Sequence, residues 1–108
     1  MKLPNADKVQ ISEEKLRGYL LSSDHAIGRF KARFLAGLGF TADNWGELAA
    51  RLRELAQGDG ELGPATEYGQ KYLVFGRLEG PLGESNVVAV WIVLAGDDTP
   101  RLVTVYPR

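Results

Sequence analysis

The sequence lacks cysteine, and it holds a single histidine among its 108 residues. Without cysteine the chain forms no disulfide bonds, no thiolate metal sites and no cysteine nucleophile. One histidine also leaves no zinc ligand set with the usual spacing, and Asp97 with Asp98 is too little for a metal site. We therefore expect no bound metal.

Long hydrophobic runs and a strong net charge are missing too. No stretch approaches the roughly 18 apolar residues of a membrane span, and the N-terminus has no apolar signal segment, so we expect a cytoplasmic protein. The net charge is only −1, which argues against non-specific binding to nucleic acids or membranes and leaves only a local basic patch. Glycine-rich phosphate loops are absent as well, so no cofactor is implied.

What is present fits one domain over residues 1–108. The composition changes near residue 60, where a helix-rich half gives way to a strand-rich half. Helices followed by strands indicate an α+β fold. We expect three N-terminal helices packed against a small, mainly antiparallel sheet.

Three stripes of apolar residues at helical spacing define the expected helices. The first helix starts after a Ser12 cap and ends near Ser22 or Ser23, and the second covers residues 26–38 behind an Asp24 cap, with Gly39 after its end. The third opens at Thr41 or Asp43. The stripes are Leu16, Tyr19 and Leu20; Ile27, Phe30, Phe34 and Leu38; and Trp45, Leu48, Leu52 and Leu55.

The second half predicts a glycine-rich connector and three strands. Residues 57–64 read as the connector, because glycine and proline interrupt helical and strand pairing. Residues 71–79 and 86–95 read as a hairpin with a turn at 80–83, and residues 101–106 as the third strand. Residues 87–94 are apolar at every position, as expected for a central strand covered on both faces.

His25 and Lys31 are the first candidate site residues. His25 lies at the predicted start of the second helix, where the helix dipole favours an anion such as phosphate and a neutral imidazole that acts as a base. The alternative is an exposed loop residue. Lys31 interrupts the apolar stripe of that helix, so it either curls back towards a phosphate or places its stem on the core and its ammonium in water.

Further candidates lie in the predicted strands. Thr104 either places a hydroxyl in a site or occupies a favourable strand position. Arg101 either contacts phosphate or forms a surface ion pair. Three aromatic residues either stack on nucleotide bases or fill the core; they are Tyr68, Tyr72 and Trp91.

Residues 19–40 carry a more specific signal: a tyrosine at 19, a histidine at 25, Gly28, Lys31-Ala32, Phe34 and a closing Leu-Gly-Phe at 38–40. This stretch resembles the signature of C-terminal toxin domains in bacterial polymorphic and contact-dependent inhibition proteins, except that Ala26 replaces the usual proline. Blocks at 68–72, 89–92 and 100–106 are similar, in the same order, to blocks that follow the signature. Over almost its whole length the chain is most similar to a small stand-alone bacterial family of unknown function related to these toxins.

The resemblance implies a ribonuclease of the barnase, EndoU, colicin and RelE type, with helices packed against an antiparallel sheet. It implies His25 as the acid or base, Lys31 as the cation that stabilises the phosphate, and Thr104 as a hydroxyl near it. Arg101 and Tyr106 are the expected substrate-binding residues. No metal is needed, because the ribose 2′-OH attacks the adjacent phosphorus.

Two functions from different classes follow. The first is a metal-independent ribonuclease toxin that cleaves tRNA or another structured RNA and is restrained by an antitoxin or immunity protein. The second is a non-catalytic protein-interaction domain of a toxin-antitoxin-like or other bacterial system, favoured by the slightly acidic pI, since RNA-binding proteins usually carry a basic footprint. A basic cleft that contains His25, Lys31 and Thr104 would favour the first.

Overall fold

The structure is a computed structural model, and it describes residues 1–26 and 28–108. Three helices in the N-terminal half pack against a four-stranded antiparallel sheet, which confirms the predicted α+β fold. No helix among the described residues has the length and apolar character that a bilayer span requires.

The sheet is a simple meander. Its strands are β1 (Gly60–Thr66), β2 (Gly69–Glu79), β3 (Glu84–Leu94) and β4 (Arg101–Pro107), hydrogen-bonded in the order β1-β2-β3-β4. The predicted hairpin is confirmed, because β2 and β3 pair along their whole length from Gly69 opposite Leu94 to Glu79 opposite Glu84. Residues 87–91 are buried one after another, as expected for a central strand.

The connector predicted over residues 57–64 is wrong in its second half, which forms β1. Glycine and proline do not prevent pairing here because β1 lies at the edge of the sheet, where a proline needs no ladder partner. The register with β2 shifts between Leu62 and Ala65, so the irregularity falls on Gly63 and Pro64. Such an interruption also protects the exposed edge from pairing with another chain.

The first helix changes type along its length. It begins as α1 (Glu13–Lys15), where the Ser12 hydroxyl accepts a hydrogen bond from the Lys15 amide at 3.0 Å, so the predicted cap is confirmed. It continues as a π-helix over Leu16–Leu20, and the Leu21 amide donates to the Leu16 carbonyl at 2.7 Å. Leu21 is the C-cap, one residue before the predicted end near Ser22 or Ser23.

The second helix, α2 (Arg29–Gly37), starts later than predicted, with Gly28 and not Asp24 as its N-cap. Within the preceding turn, the Ser22 hydroxyl accepts a hydrogen bond from the Asp24 amide at 3.3 Å. The C-terminal prediction is confirmed, since Gly39 has a φ of 97°.

The buried face of α2 agrees with the predicted stripe in part. Leu38 is buried and Phe34 packs against the core, whereas Phe30 is 62% exposed. Ala32 and Leu35 are buried as well. Ile27, the first member of the stripe, lies outside the described residues. The helix is therefore rotated about its own axis relative to the predicted stripe, because it packs against both β4 and the π-helix.

The third helix agrees with prediction. A short 3₁₀ turn (Ala42–Asn44) leads into α3 (Trp45–Leu55), and Thr41 and Asn44 form a capping box at its start. Leu48 and Leu52 are fully buried. The third helix packs on β2, while α2 packs on β4 and the π-helix. The two helices therefore cover different strands of the same face of the sheet.

Candidate functional site

The π-helix presents Tyr19 at the centre of a cluster of polar and charged side chains. Its half-buried ring packs against the hydrophobic core on one side. The edge of the His25 ring meets it, with 5.0 Å between ring centroids and an interplanar angle of 74°. The ammonium nitrogens of Lys15 and Lys31 lie 5.2 Å and 5.7 Å from the ring centroid. The imidazole and the two ammonium groups therefore all contact the same side chain, Tyr19.

Local backbone packing fixes this tyrosine. Gly28 lies directly against the Tyr19 backbone, so that a Cβ at position 28 would overlap the Tyr19 carbonyl oxygen. The φ of Gly28 is −71°, an ordinary helical value, so the requirement for glycine is close approach and not backbone conformation. The π-helix and the start of α2 are thereby held together at a backbone-to-backbone contact.

His25 lies in the turn before α2, not at its first residues. Its carbonyl accepts from the Arg29 amide at 3.0 Å, and its Nδ1 accepts from the Gly28 amide at 3.0 Å. Because a nitrogen that accepts carries no proton, the neutral ring bears its proton on Nε2. In this geometry the imidazole is a hydrogen-bond donor through Nε2, and its Nδ1 is engaged with the backbone.

The surroundings of Tyr19 make its phenol more acidic. Partial burial raises the pKa, but this effect is outweighed by the nearby Thr104 hydroxyl and Lys31 ammonium and by the charges of Lys31 and Lys15. The pKa of Tyr19 therefore lies below its usual range, since two ammonium groups and a hydroxyl favour the phenolate. A tyrosine in this setting exchanges a proton more readily than a tyrosine in water.

Thr104 brings the sheet into the site. Its hydroxyl oxygen is fully buried, and no group in the described part of the chain forms a hydrogen bond of good geometry with it. The Tyr19 phenol is close enough for Thr104 to lower its pKa, in a contact that falls short of a full hydrogen bond. A buried hydroxyl with unused hydrogen-bonding capacity is unusual.

A surface groove of about 440 Å³ opens beside these residues. Its lining residues are Ser12, Glu14, Lys15, Gly18, Tyr19 and His25. Its volume lies within the range of small-ligand sites, about 300–1,000 Å³. The groove gives a substrate access to the phenol and the imidazole.

The structure thus brings His25, Lys31 and Thr104 together around Tyr19. The Lys31 side chain is half-buried, and its ammonium nitrogen reaches the Tyr19 ring. The sequence reasoning gave no site role to Tyr19 or Lys15. Tyr19 was read as part of an apolar stripe, and only its tyrosine hydroxyl and its place in the toxin-like signature distinguished it.

The two expected substrate-binding residues lie elsewhere on β4. Arg101 lines an adjacent groove that also contains Lys15, and its side chain pairs with Asp97 at 3.4 Å. Tyr106 is 38% exposed and lies opposite Val88 in the sheet. Arg101 is therefore next to the Tyr19 cluster, and Tyr106 belongs to the sheet surface.

The aromatic candidates separate into core and surface. Trp91 is fully buried and Tyr72 packs against the core, so the core interpretation is confirmed for both. Tyr68 is 69% exposed in the turn between β1 and β2. Across the described ranges, no group of three or more histidine or acidic side chains is placed to hold a metal ion.

Comparison with known proteins gives a family but no activity. No curated protein and no solved structure matches the chain. The relationship with toxin domains therefore stays a prediction. One family model, described as "Domain of unknown function (DUF6883)", matches residues 2–108, and the chain belongs to this family.

Proposed function

We propose that this domain is a metal-independent ribonuclease that cleaves tRNA or another structured RNA. The observation that carries the proposal is the clustering of two ammonium groups and an imidazole around the Tyr19 ring, which lines an open groove. Cleavage of RNA requires a proton acceptor for the 2′-OH and positive charge at the phosphate. This cluster contains both in a chain whose net charge is only −1.

Tyr19 takes the role of general base. Its phenolate accepts the proton of the ribose 2′-OH, and the 2′-oxygen attacks the adjacent phosphorus. The bond from phosphorus to the 5′-oxygen then breaks, and this oxygen takes a proton from the Lys31 ammonium. The products are a 2′,3′-cyclic phosphate and a free 5′-hydroxyl, and a proton passes from Tyr19 to Lys31 to restore the starting state.

The other residues stabilise charge and geometry. Lys31 and Lys15 offset the negative charge that develops on the phosphate, and this electrostatic effect is usually the largest in such reactions. His25 donates through Nε2 to a phosphate oxygen, because its Nδ1 holds the Gly28 amide. Thr104 orients the phenol. This assignment gives His25 a donor role in place of the base that the sequence suggested.

The biological setting in this proposal is that of a toxin. The domain acts in the cytoplasm, where its RNA substrate is found, and an antitoxin or immunity protein restrains it by covering the Tyr19 groove. An acidic surface on that partner complements Lys15 and Lys31.

The test is incubation of the purified protein with total bacterial RNA in EDTA, followed by sequencing of the fragment ends. We expect cleavage with cyclic-phosphate ends. Tyr19→Phe is expected to lower the rate about 100- to 10,000-fold, the usual contribution of general acid–base catalysis. Tyr68→Phe is the matched control, since Tyr68 is exposed on a turn outside the groove.

His25→Ala and Lys31→Ala should also abolish cleavage and growth inhibition while circular dichroism shows an unchanged fold. Equal activity of Tyr19→Phe and the wild type would exclude the base role of Tyr19. Intact RNA in every sample, with folded protein, would reject the ribonuclease proposal as a whole.

A second candidate function is favoured by the sheet face that the helices leave uncovered. Phe75 lies opposite Val88, and Val88 lies opposite Tyr106, so these three residues form a row across the sheet. Their neighbours along the strands, Val74 and Ala89, face the helices and the core. The Arg108 guanidinium lies 4.5 Å from the Phe75 ring. Val88 is only 4% exposed, so the accessible part of the row is Phe75 and Tyr106. These two aromatic side chains suit a non-catalytic protein-interaction domain.

A further inference from the structure

A second groove continues the first along the protein surface. It has a volume of about 340 Å³ and lies between the segment before α1 and the strand β4. Ser12 and Lys15 line both grooves. A ligand chain that passes Tyr19 and His25 therefore reaches the second groove without leaving the surface.

The polar rim of this second groove carries two cations. Lys15 lines both grooves, and Arg101 lines the second one. The Arg101 side chain is 49% exposed, and its pair with Asp97 at 3.4 Å is a surface contact. Exposed pairs of this kind contribute little to stability, so the guanidinium can turn to a phosphate, which it binds with two parallel hydrogen bonds.

The floor of the groove is apolar. It consists of Ile92, Leu102 and Val103. The register between β3 and β4 shifts at this point, since Val90 lies opposite Thr104 and Trp91 lies opposite Leu102, and Val103 is left without a partner. A bulge of this kind re-aims a side chain. An apolar floor with a polar rim fits the flat face of a nucleobase, with the Gln10 amide at the rim to meet its polar edge.

We infer that the second groove is a nucleotide subsite, in which Lys15 and Arg101 bind the phosphate next to the cleaved one and the base lies on Ile92 and Val103. This inference rests on the proposed ribonuclease function and specifies its substrate. The substrate is an RNA segment with at least two consecutive phosphates, and it is single-stranded at the cut site. A base that lies on the groove floor has left the helical stack, as is usual for recognition of RNA loops.

Binding is measured apart from cleavage with oligonucleotides that carry a 2′-O-methyl group at every ribose and therefore cannot react. Fluorescence anisotropy compares a labelled dinucleotide with one phosphate and a trinucleotide with two. We expect the wild type to bind the trinucleotide more tightly, and Arg101→Ala to weaken trinucleotide binding about 10-fold with dinucleotide binding unchanged.

The matched control is Arg53→Ala, which removes the same charge from an exposed position on α3. If both variants weaken trinucleotide binding equally, the effect is general electrostatics and the subsite is excluded. If the wild type binds both oligonucleotides equally, or binds neither, the subsite is excluded as well.

Cleavage of total RNA distinguishes the two proposals. Cleavage by the wild type, with the same kcat/KM in Arg101→Ala, would leave the ribonuclease function standing and remove the subsite. A folded wild type that neither cleaves RNA nor binds either oligonucleotide would remove both. A lower kcat/KM in Arg101→Ala alone, with the cut positions changed, is the result expected from the subsite.

Discussion

The sheet and the segment from Ser12 to Lys31 differ in regularity. Strands β2 and β3 pair without interruption over 11 residues each, and their sequence pattern shows this directly. The other segment contains a short α-helix, a π-helix, a turn and a helix without a side-chain cap. Nearly all of the candidate site lies in this irregular segment, and the sheet supplies Thr104. π-Helical turns are rare and are often found at functional sites.

The difference between the two regions has a physical reason. A regular strand uses every backbone hydrogen bond for the sheet and points its side chains to two fixed faces. The irregular segment instead uses side chains and a glycine contact to aim Tyr19, His25 and Lys31 at one point. Precise placement of reactive groups therefore comes from the part of the chain with the weakest repeating pattern, and the sheet holds that part in place.

The largest expected effect is a loss of stability, and it tests whether the sheet and the irregular segment share one hydrophobic core. Leu16 of the π-helix is 0% exposed and Leu78 of β2 is 1% exposed. Substitution of either by alanine is expected to lower the free energy of unfolding by about 2–5 kcal/mol, measured by chemical denaturation. Leu82→Ala, at a side chain that is 77% exposed in the β2–β3 turn, serves as the control and should change little. A small effect of Leu16→Ala would show that the π-helix is only loosely attached.

The next effect concerns the glycine contact within the irregular segment. Gly28→Ala is expected to lower the free energy of unfolding by about 1–3 kcal/mol, because its Cβ would overlap the Tyr19 carbonyl. Gly37→Ala is the control: it lies outside the irregular segment, at the end of α2, where an added Cβ meets nothing within 4 Å. It should be neutral or stabilise the protein by up to about 1 kcal/mol. Thermal unfolding of both variants checks this, and equal melting temperatures would contradict the contact.

A smaller effect is expected at the start of the irregular segment. Ser12→Ala removes the acceptor of the Lys15 amide and is expected to cost about 1 kcal/mol. Ser12→Asn keeps an acceptor at the cap and should restore most of the stability. The measurement is the midpoint of urea unfolding. If the alanine and asparagine variants had the same midpoint, the hydroxyl would have no capping role.

The smallest expected effect is a lowered pKa of the Tyr19 phenol in the irregular segment. Tyr19 should ionise below the pH at which exposed tyrosines do, and Lys31→Met should raise its pKa. Ultraviolet absorbance of tyrosinate in the wild type, compared with Tyr19→Phe, gives the value. Because the folded-state pKa is the lower one, the shift adds stability only as the pH rises through the lowered pKa towards about 10, the value of a tyrosine in an unfolded chain. Titration of Tyr19 at or above about 10, the value of a tyrosine in water, would contradict this environment.

Sequence reasoning succeeded wherever a pattern repeats along the chain. The apolar stripe from Trp45 to Leu55 predicted α3, and the run of apolar residues at 87–94 predicted a central strand. It failed at β1, because glycine and proline disfavour a strand in general but not at a sheet edge. It also failed at Phe30, since the position of a helix about its own axis depends on which elements it packs against.

For the candidate site, the sequence singled out His25, Lys31 and Thr104, and the structure places all three at Tyr19. It did not identify Tyr19 or Lys15. An amphipathic pattern explains a half-buried tyrosine equally well as a core residue and as a reactive one, and only its neighbours distinguish the two.

The sequence by itself therefore determined the α+β class, most of the strands and the exclusion of cysteine chemistry, because these follow from composition and from periodicities of two or about 3.6 residues. Only the tertiary structure decided that Tyr19 is the common contact of His25, Lys15, Lys31 and Thr104. The physical reason is distance along the chain: Thr104 and Tyr19 meet only when β4 packs beside the helices. No local pattern encodes a contact of that kind.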